Sequence, residues 1–247
     1  MNKTSLILML GTLGHMPAWA GEQIRIATEG AWPPFNYVNE QGEVSGFDVD
    51  IARALCARMQ EKCEIVVNDW DGMIPGLRTR KFDAIVSSMS ITEERLRQVD
   101  FTDKYYSGGL RFVGPRGVNI DVSPEALEGK IVGAQRSTIA SQYMEDNLAD
   151  VVKIKLYDNQ ENVYLDMQSG RLELFLSDEL PTHQWLQTGN GQQFEFKGES
   201  FAREDVIGIA VRKGDPLRSR LNQALSTILQ DGTYQSINEK YFPFSIY

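Results

Sequence analysis

Ser87, Ser88 and Ser90 follow a short apolar run at 84–86, and Arg95 stands five positions beyond the last of them. Between them, Thr92, Glu93 and Glu94 have the composition of a helix cap and an acidic first turn. Hydroxyls, the unpaired amides of a helix start and a guanidinium fork can converge on one anion there. Such a fork matches a carboxylate bidentately. The plainer reading is a strand, an ordinary capped helix and a solvated arginine.

Other polar groups recur at the ends of apolar runs. Glu29 and Trp32 follow 24–28, Asp69 and Trp70 follow 64–67, Gln135, Ser137 and Thr138 close 131–135, and Asp178 follows 174–176. Arg95 and the hydroxyls of Ser88, Ser90 and Thr138 suit an anion, whereas Asp178 and Glu29 suit cations. Trp32 and Trp70 offer flat faces for an aliphatic stem or a guanidinium. An α-amino acid carries a carboxylate and an ammonium on one carbon, and a basic one adds a second positive end. Each charge needs a fixed partner, because burying an unpaired ion is costly. Taken singly, each residue has a blander role: Glu29 a solvated loop acid, the tryptophans partial core, Asp178 and Thr138 helix caps.

The elements that would position these groups alternate. An amphipathic helix starts at Phe47, with Ile51, Leu55 and Met59 at successive i+4 steps. A strand at 64–67, a helix carrying Met73, Ile74 and Leu77, and the strand at 84–86 follow. Beyond Tyr106 come strands at 131–135, 152–157 and 174–176, with helices at 139–148 and 162–169 between them. A strand at 206–211, a helix with Leu217, Leu221, Leu225 and Ile228, and a last short helix reaching Tyr241 end the series. The segment 29–35 reads as a loop and 39–42 as a turn. This alternation predicts an α/β fold with largely parallel sheets, whose ligands sit beyond the carboxyl ends of strands.

Residues 1–20 read as a secretory signal peptide: Lys3, an apolar run from Leu6, and Ala18-Trp19-Ala20 before Gly21. The apolar run is shorter than the roughly 20 residues a membrane span needs. A soluble exported protein, in a Gram-negative periplasm, is expected. The formal charge of −9 disfavours nucleic acid or an anionic membrane as partner. Cys56 and Cys63 are the two cysteines, and in an oxidising compartment a pair this close is most simply a disulfide. Two thiols with His15 and His183 make a poor metal set, so neither metal nor cofactor is expected. No Gly-x-Ser-x-Gly, phosphate loop or paired histidines occur, and no catalytic residue is assigned.

Several segments together carry a resemblance: Gly46-Phe-Asp-Val-Asp50, Trp70-Asp-Gly-Met-Ile-Pro75, Lys81-Phe-Asp-Ala84, Ser87-Ser-Met-Ser-Ile-Thr92 with Arg95, Val99-Asp-Phe-Thr-Asp-Lys-Tyr-Tyr106, and Asp231-Gly-Thr-Tyr234. Over nearly all of the chain beyond residue 20 it resembles the periplasmic amino-acid-binding proteins of solute-binding family 3. Within that family it is most similar to the branch binding lysine/arginine/ornithine, histidine and opines, which the Cys56 to Cys63 spacing also matches. The resemblance implies two α/β lobes, each a mostly parallel sheet flanked by helices, joined by two crossing strands as hinge. Lobe 1 would hold 21–108 and 207–247, and lobe 2 109–206. It implies that Arg95 grips the ligand α-carboxylate, helped by Ser88, Ser90 and Thr138, partly through backbone amides, with Ser87 and Ser137 also among the ligand-binding residues. Asp178 would take the α-ammonium, Trp32 and Trp70 would sandwich the side chain, and Glu29 would meet its distal positive group. Arg136-Ser137 departs from relatives, which often carry Gly in this loop. The implied function is capture of a basic L-amino acid for an ABC importer by a monomer working with permease subunits. Arginine is favoured, with lysine, ornithine, histidine or an arginine-derived opine open. The rivals are an enzyme on the same scaffold, of the prephenate-dehydratase type, and a ligand-binding partner of a signalling receptor.

Overall fold

The computed structural model describes residues 23–247. The signal peptide expected at 1–20 lies outside the described residues. The chain begins with β1 (Ile24–Thr28), then a small three-stranded antiparallel sheet of β2 (Ala31–Trp32), β3 (Asn36–Val38) and β4 (Val44–Ser45). The segment read as a loop is thus part of a hairpin, paired where Ala31 meets Tyr37 and Trp32 meets Asn36. Strands this short carry no periodicity to read.

Helix α1 (Phe47–Met59) buries Phe47, Ile51 and Leu55, as the i+4 spacing requires. Gly46 precedes it at φ 127°, where a Cβ would run into the Phe35 carbonyl, so only glycine fits. The Cys56–Cys63 disulfide ties α1 to β5 (Cys63–Val67). A 3-10 turn at Trp70–Gly72 leads into α2 (Met73–Arg78), then β6 (Ala84–Ile85) and α3 (Glu93–Leu96), which Thr92 caps by accepting the Arg95 amide. The long β7 (Asp100–Pro115) follows. Beyond it lie α4 (Pro124–Leu127), β8 (Ile131–Gln135), α5 (Ile139–Asn147), β9 (Lys153–Tyr157), α6 (Gln160–Gln168), β10 (Leu174–Asp178) and α7 (Glu179–Leu186). Helix α6 starts two residues before the expected 162, because the Asn159 side chain accepts the Asn162 amide and so fixes the cap one position ahead of Gln160. The chain ends with β11 (Phe194–Val211), α8 (Leu217–Gln230) and α9 (Thr233–Tyr241).

The strands form one eight-stranded sheet in the order β5-β1-β6-β11-β7-β10-β8-β9. Pairing is parallel at both ends, β5-β1-β6 and β10-β8-β9. It is antiparallel in the middle, where β7 and β11 run side by side with several register shifts. The two long strands are the crossing pair between two lobes, and the parallel strands are the lobes' own. Apolar burial divides the same way. One core joins α1, α8 and α9 to β1, and a second packs α2 against the other face. Two further cores enclose β8 and β10 with α5, α6 and α7.

Candidate functional site

Between the lobes lies a cavity lined by Glu29, Trp32, Trp70, Ser87, Ser88, Ser90, Arg95, Gln135, Thr138, Ile139 and Asp178. Nine of the ten residues singled out from the sequence are brought together there. Ser137 is the exception: it stands at the cleft edge and reaches the site only through its carbonyl.

Glu29 leaves the end of β1 and is buried. Its amide donates to Ser87 Oγ (2.9 Å), and its Oε1 accepts from Gln135 Nε2 (2.7 Å). Burial, reinforced by the charges of Asp69 and Asp71, pushes its pKa up to about 7 against the Gln135 hydrogen bond. The plainer reading of Glu29 as a solvated acid is thereby excluded. Trp32 is held by the hairpin. Trp70 lies under Arg95, whose Cζ is 5.4 Å from the ring centroid, and its Nε1 donates to the Ser137 carbonyl (3.1 Å).

The serine loop after β6 is built around a buried carboxylate, that of Asp48 in the first turn of α1. Asp48 accepts from Tyr105 Oη (2.7 Å), Asn36 Nδ2 (2.8 Å) and Ser88 Oγ (2.9 Å). Burial raises its pKa to about 6, opposed by these bonds. Ser88 sits in the left-handed region at φ 51°, an unfavourable conformation for serine, and its amide donates to Tyr105 Oη. The hydroxyls are therefore largely committed. Ser88 donates to Asp48, Ser90 to Asp205 Oδ2 (3.0 Å) and Thr138 to the Gln135 carbonyl (2.8 Å). Thr138 also caps α5 by accepting the Ser141 amide. What these residues offer an anion is backbone: among the described residues, neither the Ser90 nor the Thr138 amide has a protein acceptor.

Arg95 projects from α3. Nη1 donates to the Ser90 carbonyl and Nη2 to the Ser137 carbonyl, both at 2.8 Å. A guanidinium has five N–H donors, so the remaining ones have no acceptor among the described residues. Burial lowers its pKa, while Asp205, Asp178 and Glu94 hold the charge in place. Asp178 ends β10 and precedes α7, but its side chain makes no capping bond. Burial and then the Asp205 charge raise its pKa to about 7, with Arg95 pulling the other way. The charges thus fall into two groups: Glu29 feels Asp69 and Asp71, whereas Asp178 feels Asp205 and Arg95.

Contacts across the cleft hold the lobes together. Ser137 is left-handed at φ 60°, the conformation glycine favours, and its Oγ donates to Asp71 Oδ1 (2.9 Å). Arg136 pairs with Asp71 (3.6 Å) and Asp158 (2.5 Å). Arg136 and Ser137 thus form a clasp across the cleft. Gln135 and Ile139, which line the cavity, and Asp205, which lines the adjoining groove, were not among the expected site residues. Gln135 shared the strand-end signal, whereas Asp205 lies inside β11 and carried none.

The model for bacterial extracellular solute-binding proteins, family 3, matches residues 24–244. The chain is 38% identical over 257 residues to an L-arginine-binding protein of Pseudomonas aeruginosa, covering 100% of this chain and 99% of the relative. It is 36% identical over 252 residues to a histidine-binding periplasmic protein of Escherichia coli, covering 98% and 97%. A solved structure, an ancestral arginine-binding protein bound to arginine, matches with a TM-score of 0.86 at 36% identity over 90% of this chain and 99% of that one. The chain belongs to the bacterial extracellular solute-binding proteins of family 3.

Proposed function

We propose that this protein captures a basic L-amino acid in the periplasm, arginine foremost, and delivers it as a monomer to the permease of an ABC importer. The observation that carries the ligand class is the division of buried charge. Arg95 with the Ser90 and Thr138 amides suits the α-carboxylate, and Asp178 suits the α-ammonium. Glu29, apart from them and flanked by Trp32 and Trp70, suits a distal cation. A neutral or acidic side chain would leave Glu29 buried without a counter-charge. The names of the relatives, for L-arginine and histidine, support the same class.

In this reading the lobes are 21–108 with 207–247, and 109–206, a division supported by the separate cores. Closure strips water from the charges and presents the clasped form to the membrane. The site binds rather than turns over: each charged group has a ligand charge to meet, and Glu29 is already restrained by Gln135.

Calorimetric titration of the protein lacking residues 1–20, unfolded and refolded to remove carried ligand, tests the proposal. The panel is arginine, lysine, ornithine, histidine, glutamine, glutamate and octopine. One-to-one binding confined to cationic ligands is expected. Binding of glutamine or glutamate with equal strength would overturn the role of Glu29.

A further inference from the structure

Asp205 stands inside β11, opposite Gly108 of β7, while Asp178 stands opposite Leu110 on the other side of the same strand. Gly108 and Leu110 are two residues apart, so both aspartates rise from one face of the sheet. Asp205 Oδ2 lies 3.7 Å from the place a Cβ on Gly108 would take, an ordinary van der Waals separation. The same oxygen accepts the hydroxyl of buried Ser90 at 3.0 Å. A hydroxyl whose proton goes to Asp205 presents only lone pairs elsewhere. Towards the cavity, Ser90 Oγ is therefore an acceptor and not the anion donor its residue type suggests.

We propose that Asp205 is a specificity-determining residue for the α-nitrogen end of the ligand. With Asp178 and the Ser90 oxygen it selects a primary ammonium and disfavours a nitrogen bearing a carboxylate substituent, the chemistry of opines. The inference rests on the amino-acid-binding reading above. A primary ammonium brings three N–H donors to a site rich in acceptors. An N-carboxyalkyl group removes one donor and adds a negative charge beside two carboxylates, where like charges repel. The outer groove continuing past Arg95 offers that charge little relief: six carboxylates, Asp205 among them, and three arginines line it. One of the three, Arg136, is already shared by Asp71 and Asp158.

The test is titration of the wild type and the isosteric Asp205→Asn variant with arginine and with octopine, which share the guanidinium and the α-carboxylate. Asp205→Asn should weaken arginine by about tenfold or more, in line with loss of a charged hydrogen-bond partner. Octopine affinity should stay within about threefold or tighten, so the arginine-to-octopine ratio falls. Asp205→Thr, with a side chain suited to a strand, should reproduce the ratio change. An equal change for both ligands would mean that Asp205 acts on Arg95 and the shared α-carboxylate, and overturns the proposal. Unchanged arginine affinity overturns it as well, leaving the amino-acid reading standing. Absence of arginine binding by the wild type overturns both.

Discussion

Acidification should weaken arginine binding, and the site indicates by how much. Glu29 and Asp178 are pushed up to about 7, chiefly by burial. A bound cation favours their ionised forms, so binding lowers both pKa values and releases protons. As pH falls through 7, each carboxylate must give up a proton to bind. The affinity should then fall by about tenfold per pH unit for each group, and by up to about a hundredfold for both at about pH 6. Stability without added amino acid should show the opposite sign. A carboxyl whose folded pKa exceeds its unfolded value stabilises below the unfolded pKa, and that contribution is lost as pH rises through the folded one. For Glu29 this amounts to about 3 kcal/mol, lost between about pH 4.5 and 7. Titration from about pH 8 to about pH 5.5, in buffers of different ionisation enthalpy, measures both affinity and proton release. Glu29→Gln should remove one of the released protons, weaken arginine and lysine, and spare neutral ligands. A flat affinity across this range, without proton release, would refute the reasoning.

Arg95→Ala removes the guanidinium fork and should cost roughly a hundredfold or more in affinity for every amino acid, acidic or basic, by calorimetry. Asp71→Ala frees Ser137 and Arg136 from the cross-cleft clasp, so it should speed ligand dissociation by about tenfold in stopped-flow while leaving the association rate near wild type. Changing Cys56 and Cys63 together to Ala should cost about 2 kcal/mol by loop closure and lower Tm by about 4–8 °C, with ligand affinity unchanged because the bridge lies away from the cavity.

The local signals in the chain were sufficient for most elements and for the neighbourhood of the site. The i+4 spacing from Phe47 and from Leu217 located two helices, because burial of one helical face needs only local periodicity. Glu29, Trp32, Trp70, the serines, Arg95, Thr138 and Asp178 were legible because strand ends in α/β sheets face one crevice. The pairing of the Cys56 and Cys63 thiols was legible for a similar reason, since they are close in the chain.

What tertiary structure decided is how those groups are spent. The serine hydroxyls looked like anion donors, yet Ser88 is turned to Asp48 and Ser90 to Asp205, partners 40 and 115 residues away. The burial of Glu29 rests in part on Gln135, 106 residues on, whose side-chain amide donates to it. Ser137 gained its part from Asp71 across the cleft, and Asp205 gained its own beside the hydroxyl of Ser90. Periodicity and strand ends are properties of neighbouring residues and can be read along the chain. Burial, the direction of a hydroxyl proton and the pKa of a carboxyl depend on which distant groups the folded sheet brings within about 3–6 Å, and no local pattern carries that.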